Sequence, residues 1–245
     1  MKIIFLGIGE AFDENIPTSC FLIKSKTNLL LDCGYSSPPA LWRYNRDPNL
    51  LDSIFVSHTH MDHSFGLAPI IMDMRGRKNP LTIICQKGNK DLLQNLLNIG
   101  LKGIKKYLDY QIKYLEVNPN QKIILDEYQM AFAKTLHAGS NLAIRIKTRS
   151  KDLSYSGDGF ITKESEALFS NTKFLIHDGY KFDGASGNHC NMKQVIDMCQ
   201  RCNIKKIAFT HLERNEKKKI PLIKKQTKKL GLQIIFPKPG DEIIL

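Results

Sequence analysis

The sequence predicts an α/β chain in which two sheets lie between outer helices in one domain, residues 1–245. Three observations predict it. Short apolar runs rich in β-branched residues crowd the N-terminal quarter, separated by Gly, Asn, Pro and Ser. Segments with helical spacing then alternate with further apolar runs toward the C-terminus. No internal repeat, low-complexity tract or Pro/Gly/Ser-rich linker interrupts that order.

Taken along the chain, residues 3–6, 20–23, 28–31 and 54–56 read as strands. Helical spacing follows at 67–74 and 91–97, with a strand at 81–85 between them. The middle returns to strands at 122–125, 129–133, 142–147 and 153–155. Beyond it, 163–169, 192–202 and 220–230 read as helices, and 174–177, 206–209 and 233–236 as strands.

Composition narrows the function classes. With 42% hydrophobic and 24% charged residues the chain carries enough apolar matter to fold, which excludes disordered and fibrous readings. The 36 basic against 24 acidic side chains leave a net charge of +12, and such a surplus suits nucleic acid, an anionic membrane or a phosphorylated substrate. Most of the basic residues are lysines, so charge spread over solvated faces is the competing explanation. The apolar run at 3–6 is too short for a secretion signal, and no stretch approaches a membrane span. A soluble, cytoplasmic protein is expected. Six cysteines (Cys20, Cys33, Cys85, Cys190, Cys199, Cys202) are too sparse for a disulfide scaffold.

The chemistry is concentrated in Ser57-His58-Thr59-His60-Met61-Asp62-His63, directly after an apolar run. Imidazole and carboxylate are ligands for Zn²⁺ and related ions, and a loop at a strand end can turn several of them toward one point. His58 and His60 would face the same way if the strand continued, whereas Asp62 and His63 are adjacent and can address a second ion. Further donors stand at strand ends: His137, Asp158 and His211. Each alone would be an ordinary structural residue, and they gain weight as a set.

Together, the His58-Thr59-His60-Met61-Asp62-His63 run, the later His137, the Ser156-Gly157-Asp158 turn and Thr210-His211-Leu212 resemble the metallo-β-lactamase superfamily. The opening Phe5-Leu6-Gly7-Ile8-Gly9, the Thr18-Ser19-Cys20 and Leu30-Leu31-Asp32-Cys33-Gly34 turns, and a closing strand at 242–244 after Pro239-Gly240-Asp241 extend the resemblance over nearly the whole chain. It implies a four-layer αββα sandwich with a metal site at one edge of the sheets. It also implies two divalent ions, Zn²⁺ first and Mn²⁺ or Fe as alternatives. His58, His60 and His137 would hold one ion, Asp62, His63 and His211 the other, and Asp158 would bridge them. Asp32 would support the ligand loop from behind. Such a site makes a hydroxide at neutral pH and offsets charge on a leaving oxygen, so hydrolysis is expected.

Within that superfamily, Phe174-Leu175-Ile176-His177-Asp178-Gly179 followed by Gly187-Asn188-His189 is similar to the phosphodiesterase branch that contains ribonuclease Z. The similarity assigns Asp178 and His189 to a carboxylate–imidazole pair that assists at the scissile phosphate, and Asp62 to orienting or deprotonating the nucleophile. His177 reads as structural. One departure matters: His137 and Asp158 are only 21 positions apart, which leaves no room for the long arm that grips tRNA in that branch. Small or cyclic phosphodiesters, or an RNA end held by other surfaces, are therefore expected substrates. Ribonuclease Z activity without the arm, a thioester or lactone hydrolase, and an RNA-binding protein with a vestigial metal site are the rivals. Cys199 and Cys202 share an apolar helix face and read as core. Lys217, Lys218, Lys219, Lys224, Lys225, Lys228 and Lys229 read as a solvated face or a phosphate track, and Arg214 as a contact for a substrate phosphate. No membrane partner is expected, and a homodimer is left open.

Overall fold

Strands buried on both faces read as continuous apolar runs, and that pattern accounts for most of the sheet structure. The structure is a computed structural model that describes residues 1–100, 102–103 and 106–245. Contacts divide the chain into two units, residues 1–118 with 238–244, and residues 119–237 with Leu245.

The first unit contains β1 (Lys2–Gly7), β2 (Cys20–Lys24), β3 (Asn28–Leu31), β4 (Ser53–Val56), β5 (Leu81–Gln86) and β6 (Ile112–Val117). Its helices are α1 (Pro38–Tyr44), α2 (Met61–Ser64), α3 (Leu67–Asp73) and α4 (Lys90–Gly100). A last strand, β14 (Glu242–Ile244), pairs with β1, giving the order β14-β1-β2-β3-β4-β5-β6. Pairing is antiparallel from β14 to β3 and parallel from β3 to β6. Ile54 and Val56 of β4 share a core with Leu41 of α1, Leu67, Ile70 and Ile71 of α3, and Leu93 and Leu97 of α4. Each fully buried side chain of this size contributes about 1.5–3 kcal/mol through the hydrophobic effect.

The second unit carries β7 (Lys122–Leu125), β8 (Tyr128–His137), β9 (Gly139–Lys147), β10 (Asp152–Tyr155), β11 (Phe174–Asp178), β12 (Lys206–Thr210) and β13 (Gln233–Ile235). Strands β7 to β10 are antiparallel neighbours and β10 to β13 parallel ones. Strand β8 therefore runs in the same sense as β10, β11 and β12, so four carboxyl ends lie along one edge. Its helices are α5 (Lys163–Phe169), α6 (Met192–Arg201) and α7 (Ile220–Thr227). Reciprocal side-chain caps start two of them, Thr162 with Ser165 and Asn191 with Gln194. Cys199 and Cys202 lie in the core with Val195 and Ile196, and burial pushes the Cys199 thiol up to about 12.

Several boundaries differ from the sequence reading. Helix α1 is additional, because its Pro38-Pro39 start resembles a loop although proline is tolerated in a first helical turn. Strand β6 is additional too: it is an edge strand, half-exposed, without a clear alternation. The expected helix at 220–230 ends at Thr227, and a 3₁₀ turn, Arg214–Lys219, precedes it. The chain also goes beyond β13 to β14, the strand at 242–244 that the family resemblance implied. Among the described residues no helix is long and apolar enough to cross a membrane.

Gly34 shows how tightly the first unit is closed around α2. A Cβ there would overlap the Asp62 carbonyl oxygen and the Thr18 hydroxyl, whereas one at Gly76 would meet nothing within 4 Å. Gly34→Ala is expected to lower stability by about 1–3 kcal/mol in urea denaturation, through overpacking. Gly76→Ala, whose φ of 86° carries only backbone strain, should cost about 1 kcal/mol. Equal losses would show that the contact at Gly34 is unimportant.

Candidate metal and acid–base site

In the first unit the donors stand in the turn after β4. The strand stops at Val56, so His58 and His60 lie in the following turn and not on a continued strand. His60 caps α2, with its carbonyl accepting from the His63 and Ser64 amides at 3.1 and 3.0 Å. The ring of His58 lies 4.6 Å from that of His60 and 4.2 Å from that of His63, centroid to centroid.

Asp32 organises this turn. It is fully buried and has a left-handed φ of 56° just after β3. Its Oδ1 accepts the Ser57 amide at 2.7 Å, and its Oδ2 lies 2.7 Å from both the Ser57 hydroxyl and His63 Nδ1. A carboxylate only accepts, so Ser57 gives its one hydroxyl proton to Asp32 and accepts from His58 Nδ1, 3.1 Å away. The hydrogen-bond pattern thus assigns protonated Nδ1 to His58 and His63, so Nε2 is the nitrogen of each that could serve as a metal ligand.

The second unit presents its donors at the aligned carboxyl ends: His137 closing β8, Asp158 after β10, Asp178 closing β11 and His211 after β12. Asn141 of β9 receives the Asp158 amide on Oδ1 at 3.2 Å and gives its own amide protons to the Thr135 hydroxyl and the Ser156 carbonyl at 2.6 and 2.9 Å. His137 Nδ1 faces the Asn188 carbonyl at 3.0 Å, so Nε2 is the nitrogen that could serve as a metal ligand. That Nε2 is 3.9 Å, and His211 Nε2 3.4 Å, from Asp158 Oδ2.

These separations fit a cation. Zn–N and Zn–O bonds of about 2.0–2.2 Å place the donors of a tetrahedral ion about 3.3–3.5 Å apart. Within the second unit His211 and Asp158 meet that spacing, and within the first unit His63 Nε2 and Asp62 Oδ2 do so at 3.4 Å. The residues carry the donor chemistry of a divalent metal site.

Asp178 and His189 have a different geometry. His189 Nδ1 is 3.0 Å from Asp178 Oδ2 and 3.8 Å from Asp158 Oδ2. Asp178 also accepts the Gly159 amide at 3.3 Å and faces His177 Nδ1 at 2.8 Å. Burial opposes ionisation of Asp178, but the hydrogen bonds and charge of His177 and His189 outweigh it and hold the carboxyl below the ordinary aspartate value. Because Nδ1 of His189 is committed to Asp178, Nε2 is the nitrogen left for a reacting group. His177 is fully buried and its Nε2 has no hydrogen-bond partner.

Arg214 is exposed at the head of the 3₁₀ turn, three residues beyond His211. Lys218, Lys219, Lys224, Lys225, Lys228 and Lys229 are exposed as well, with Lys219 paired to Glu216 at 2.6 Å. Sequence reasoning missed Ser57, Asn141 and the Asn188 carbonyl, whose roles depend on pairing across the fold. Only Ser57, next to His58, carried a local signal.

A family profile described as Anti-Pycsar protein Apyc1 matches residues 1–233. The ribonuclease Z of Methanosarcina mazei is 33% identical over 150 residues, covering 60% of this chain and 48% of that one. The chain thus spans about half the length of this relative and of a Methanococcus maripaludis ribonuclease Z. The metallo-β-lactamase fold protein YhfI of Bacillus subtilis superposes with a TM-score of 0.81 at 22% identity, over 99% of this chain and 98% of that one. Human tRNase Z, short form, also reaches 0.81, at 16% identity, over 100% of this chain and 99% of its own. Those two likenesses show the fold: two mixed sheets with flanking helices, as the sequence predicts. The profile match, which takes in every candidate donor from His58 to His211, shows the family, and the chain is a member of the Anti-Pycsar protein Apyc1 family with a metallo-β-lactamase fold.

Proposed function

We propose that this chain is a dinuclear metal-dependent phosphodiesterase for small or cyclic phosphodiesters. The observation that carries the reading is the His189–Asp178 pair beside Asp158. It sets a proton donor next to a group with the chemistry of a metal ligand, which phosphoryl transfer to water requires. In this reading His58, His60 and His137 would hold one ion and Asp62, His63 and His211 the other, with Asp158 available to both and Zn²⁺ the first choice. Two bound divalent ions supply a nucleophile from water at neutral pH and neutralise charge on the phosphoryl oxygens.

The protein groups do the rest. Asp62 orients the attacking water or takes its proton. His189 gives a proton from Nε2 to the leaving oxygen, while Asp178 holds Nδ1 and stabilises the imidazolium. Arg214 meets a non-bridging phosphate oxygen. Substrate size follows from the hairpin between His137 and Asp158: His137 pairs directly with Gly139, and β9 and β10 fill the remaining interval. No segment there is long enough to embrace a folded RNA, which favours cyclic nucleotides, other cyclic phosphates or a bare RNA end. The six buried thiols support a reducing, cytoplasmic setting.

Chelator-treated protein is expected to be inactive, and reloading with Zn²⁺ or Mn²⁺ to restore hydrolysis of 2′,3′-cyclic nucleotides and bis-p-nitrophenyl phosphate. Cleavage of a thioester or lactone by metal-loaded protein that spares both phosphodiesters would refute the proposal. His189→Ala should lower kcat on the cyclic nucleotide by about 10²–10⁴-fold with bound metal unchanged, measured by metal analysis of the same sample. Asp32→Ala should instead weaken metal binding by about 10–100-fold in competition with a chelating dye. An unchanged affinity would remove Asp32 from any role behind the ligands.

A further inference from the structure

His189 stands in a loop between β11 and α6 that is braced through its backbone, the Ser186 hydroxyl donating to the His189 carbonyl at 2.5 Å and Asn191 Nδ2 to the Gly184 carbonyl at 2.9 Å. The hydrogen bond of its ring to Asp178 fixes one atom, Nδ1, at 3.0 Å, and the rings of His137 and His211 lie 5.0 and 5.1 Å away, so the plane of the imidazole is set by ring contacts. The Tyr180 ring supplies one: the two centroids are 4.8 Å apart with planes only 19° from parallel. Offset stacking of this kind contributes about 0.5–1.5 kcal/mol beyond burial, enough to select one ring plane.

Tyr180 is itself held. Its carbonyl accepts the Glu213 amide at 2.8 Å, and the preceding Gly179 amide donates to the Thr210 carbonyl at 2.9 Å. Two residues on, the Phe182 amide donates to the buried Glu216 carboxylate at 2.9 Å. A Cβ at Gly179 would press on the Phe209 ring at 2.6 Å, so the chain passes there closely against β12. The tyrosine is thus pinned by backbone on the segment that carries His211. The His211 ring lies 5.1 Å from that of His189 and 6.2 Å from that of Tyr180, so the three rings form one contact group.

We propose that Tyr180 is a positioning residue for His189: its ring fixes the plane of the imidazole, while Asp178 fixes its Nδ1. The inference rests on the reading of His189 as the proton donor to the leaving oxygen. It requires the face of an aromatic ring at position 180 and makes no demand on the phenolic hydroxyl. Phenylalanine should therefore serve, and an aliphatic side chain of similar bulk should not.

The test compares wild type with Tyr180→Phe, Tyr180→Leu, Tyr180→Met and His189→Ala. In metal-free protein, NMR of the His189 ring protons reads the stack directly. The upfield ring-current shift should persist in Tyr180→Phe and be lost in Tyr180→Leu, or in Tyr180→Met should the leucine variant not fold. In metal-loaded protein, kcat and KM are measured on a 2′,3′-cyclic nucleotide, whose leaving alkoxide needs a proton, and on bis-p-nitrophenyl phosphate, whose leaving group does not. Tyr180→Leu should lose about tenfold or more in kcat on the cyclic nucleotide, part of the 10²–10⁴ that an acid supplies, with KM held and the activated ester spared. Unchanged His189 shifts, or equal losses on both substrates with reduced bound metal, would overturn the proposal, the latter showing that Tyr180 acts through His211. Should His189→Ala lose equally on both substrates, the proton-donor reading fails and this proposal with it. A selective His189→Ala beside an unaffected Tyr180→Leu overturns the proposal alone.

Discussion

A carboxylate with no access to water must find every hydrogen bond inside the protein, and Asp32 is such a group. Its three close donors come from Ser57 and His63, which stand at the two ends of the ligand turn. The turn is therefore pulled onto one buried charge. Hydrogen bonds to a charged group contribute about 1.5–3 kcal/mol each, and leaving such a charge without a partner costs more than the bonds return. The same interaction selects the histidine tautomers, so a structural requirement of the first unit also determines which nitrogens could serve as metal ligands.

The second unit also buries a carboxylate, Asp178 at the end of β11, whose Oδ2 takes His189 Nδ1 and the Gly159 amide and whose Oδ1 lies 2.8 Å from His177 Nδ1. The folded-state pKa is lowered, so the contribution to stability is fully present above the ordinary aspartate value and is lost as pH falls through the lower folded value. At neutral pH Asp178 is an anion, which is the state that stabilises a protonated His189. On the proposed reading, fold stability and proton donation ask for the same charge at the same place.

Much of this was legible because it is local. Strands β1 to β5 read clearly since both of their faces are buried, and His58, His60, Asp62 and His63 fall within six consecutive residues. What was missed depends on partners far along the chain. The β8–β9 hairpin reaches farther than its apolar runs because the outward Lys134 is polar and ends the apolar run at Ala133, although β8 continues to His137. His137 takes its orientation from a carbonyl 51 residues away, and nothing beside either residue announces it. Helix α1 hides behind two prolines, and β6 is an edge strand with one neighbour. Local spacing reveals which side chains are chemically capable, whereas pairing across the sheet decides where each one points.

The excess of positive charge takes on a narrower meaning in this setting. Lysines between the 3₁₀ turn and β13 are engaged locally or solvated: Lys219 with Glu216, Lys224 over the Phe236 ring at 5.9 Å, and Lys225, Lys228 and Lys229 exposed. Exposed ammonium groups on flexible stems form no fixed pattern for reading bases, and a single-strand platform would need aromatic rings interleaved among them. Their summed field still attracts anions, and on the proposed reading it would raise the encounter rate of a small phosphodiester. Selection would then fall to the groups with fixed geometry, chiefly the imidazole of His189. A chain with no arm between β8 and β10 gains more from such steering than one that grips a large RNA, because a small anion offers few other contacts by which to be captured.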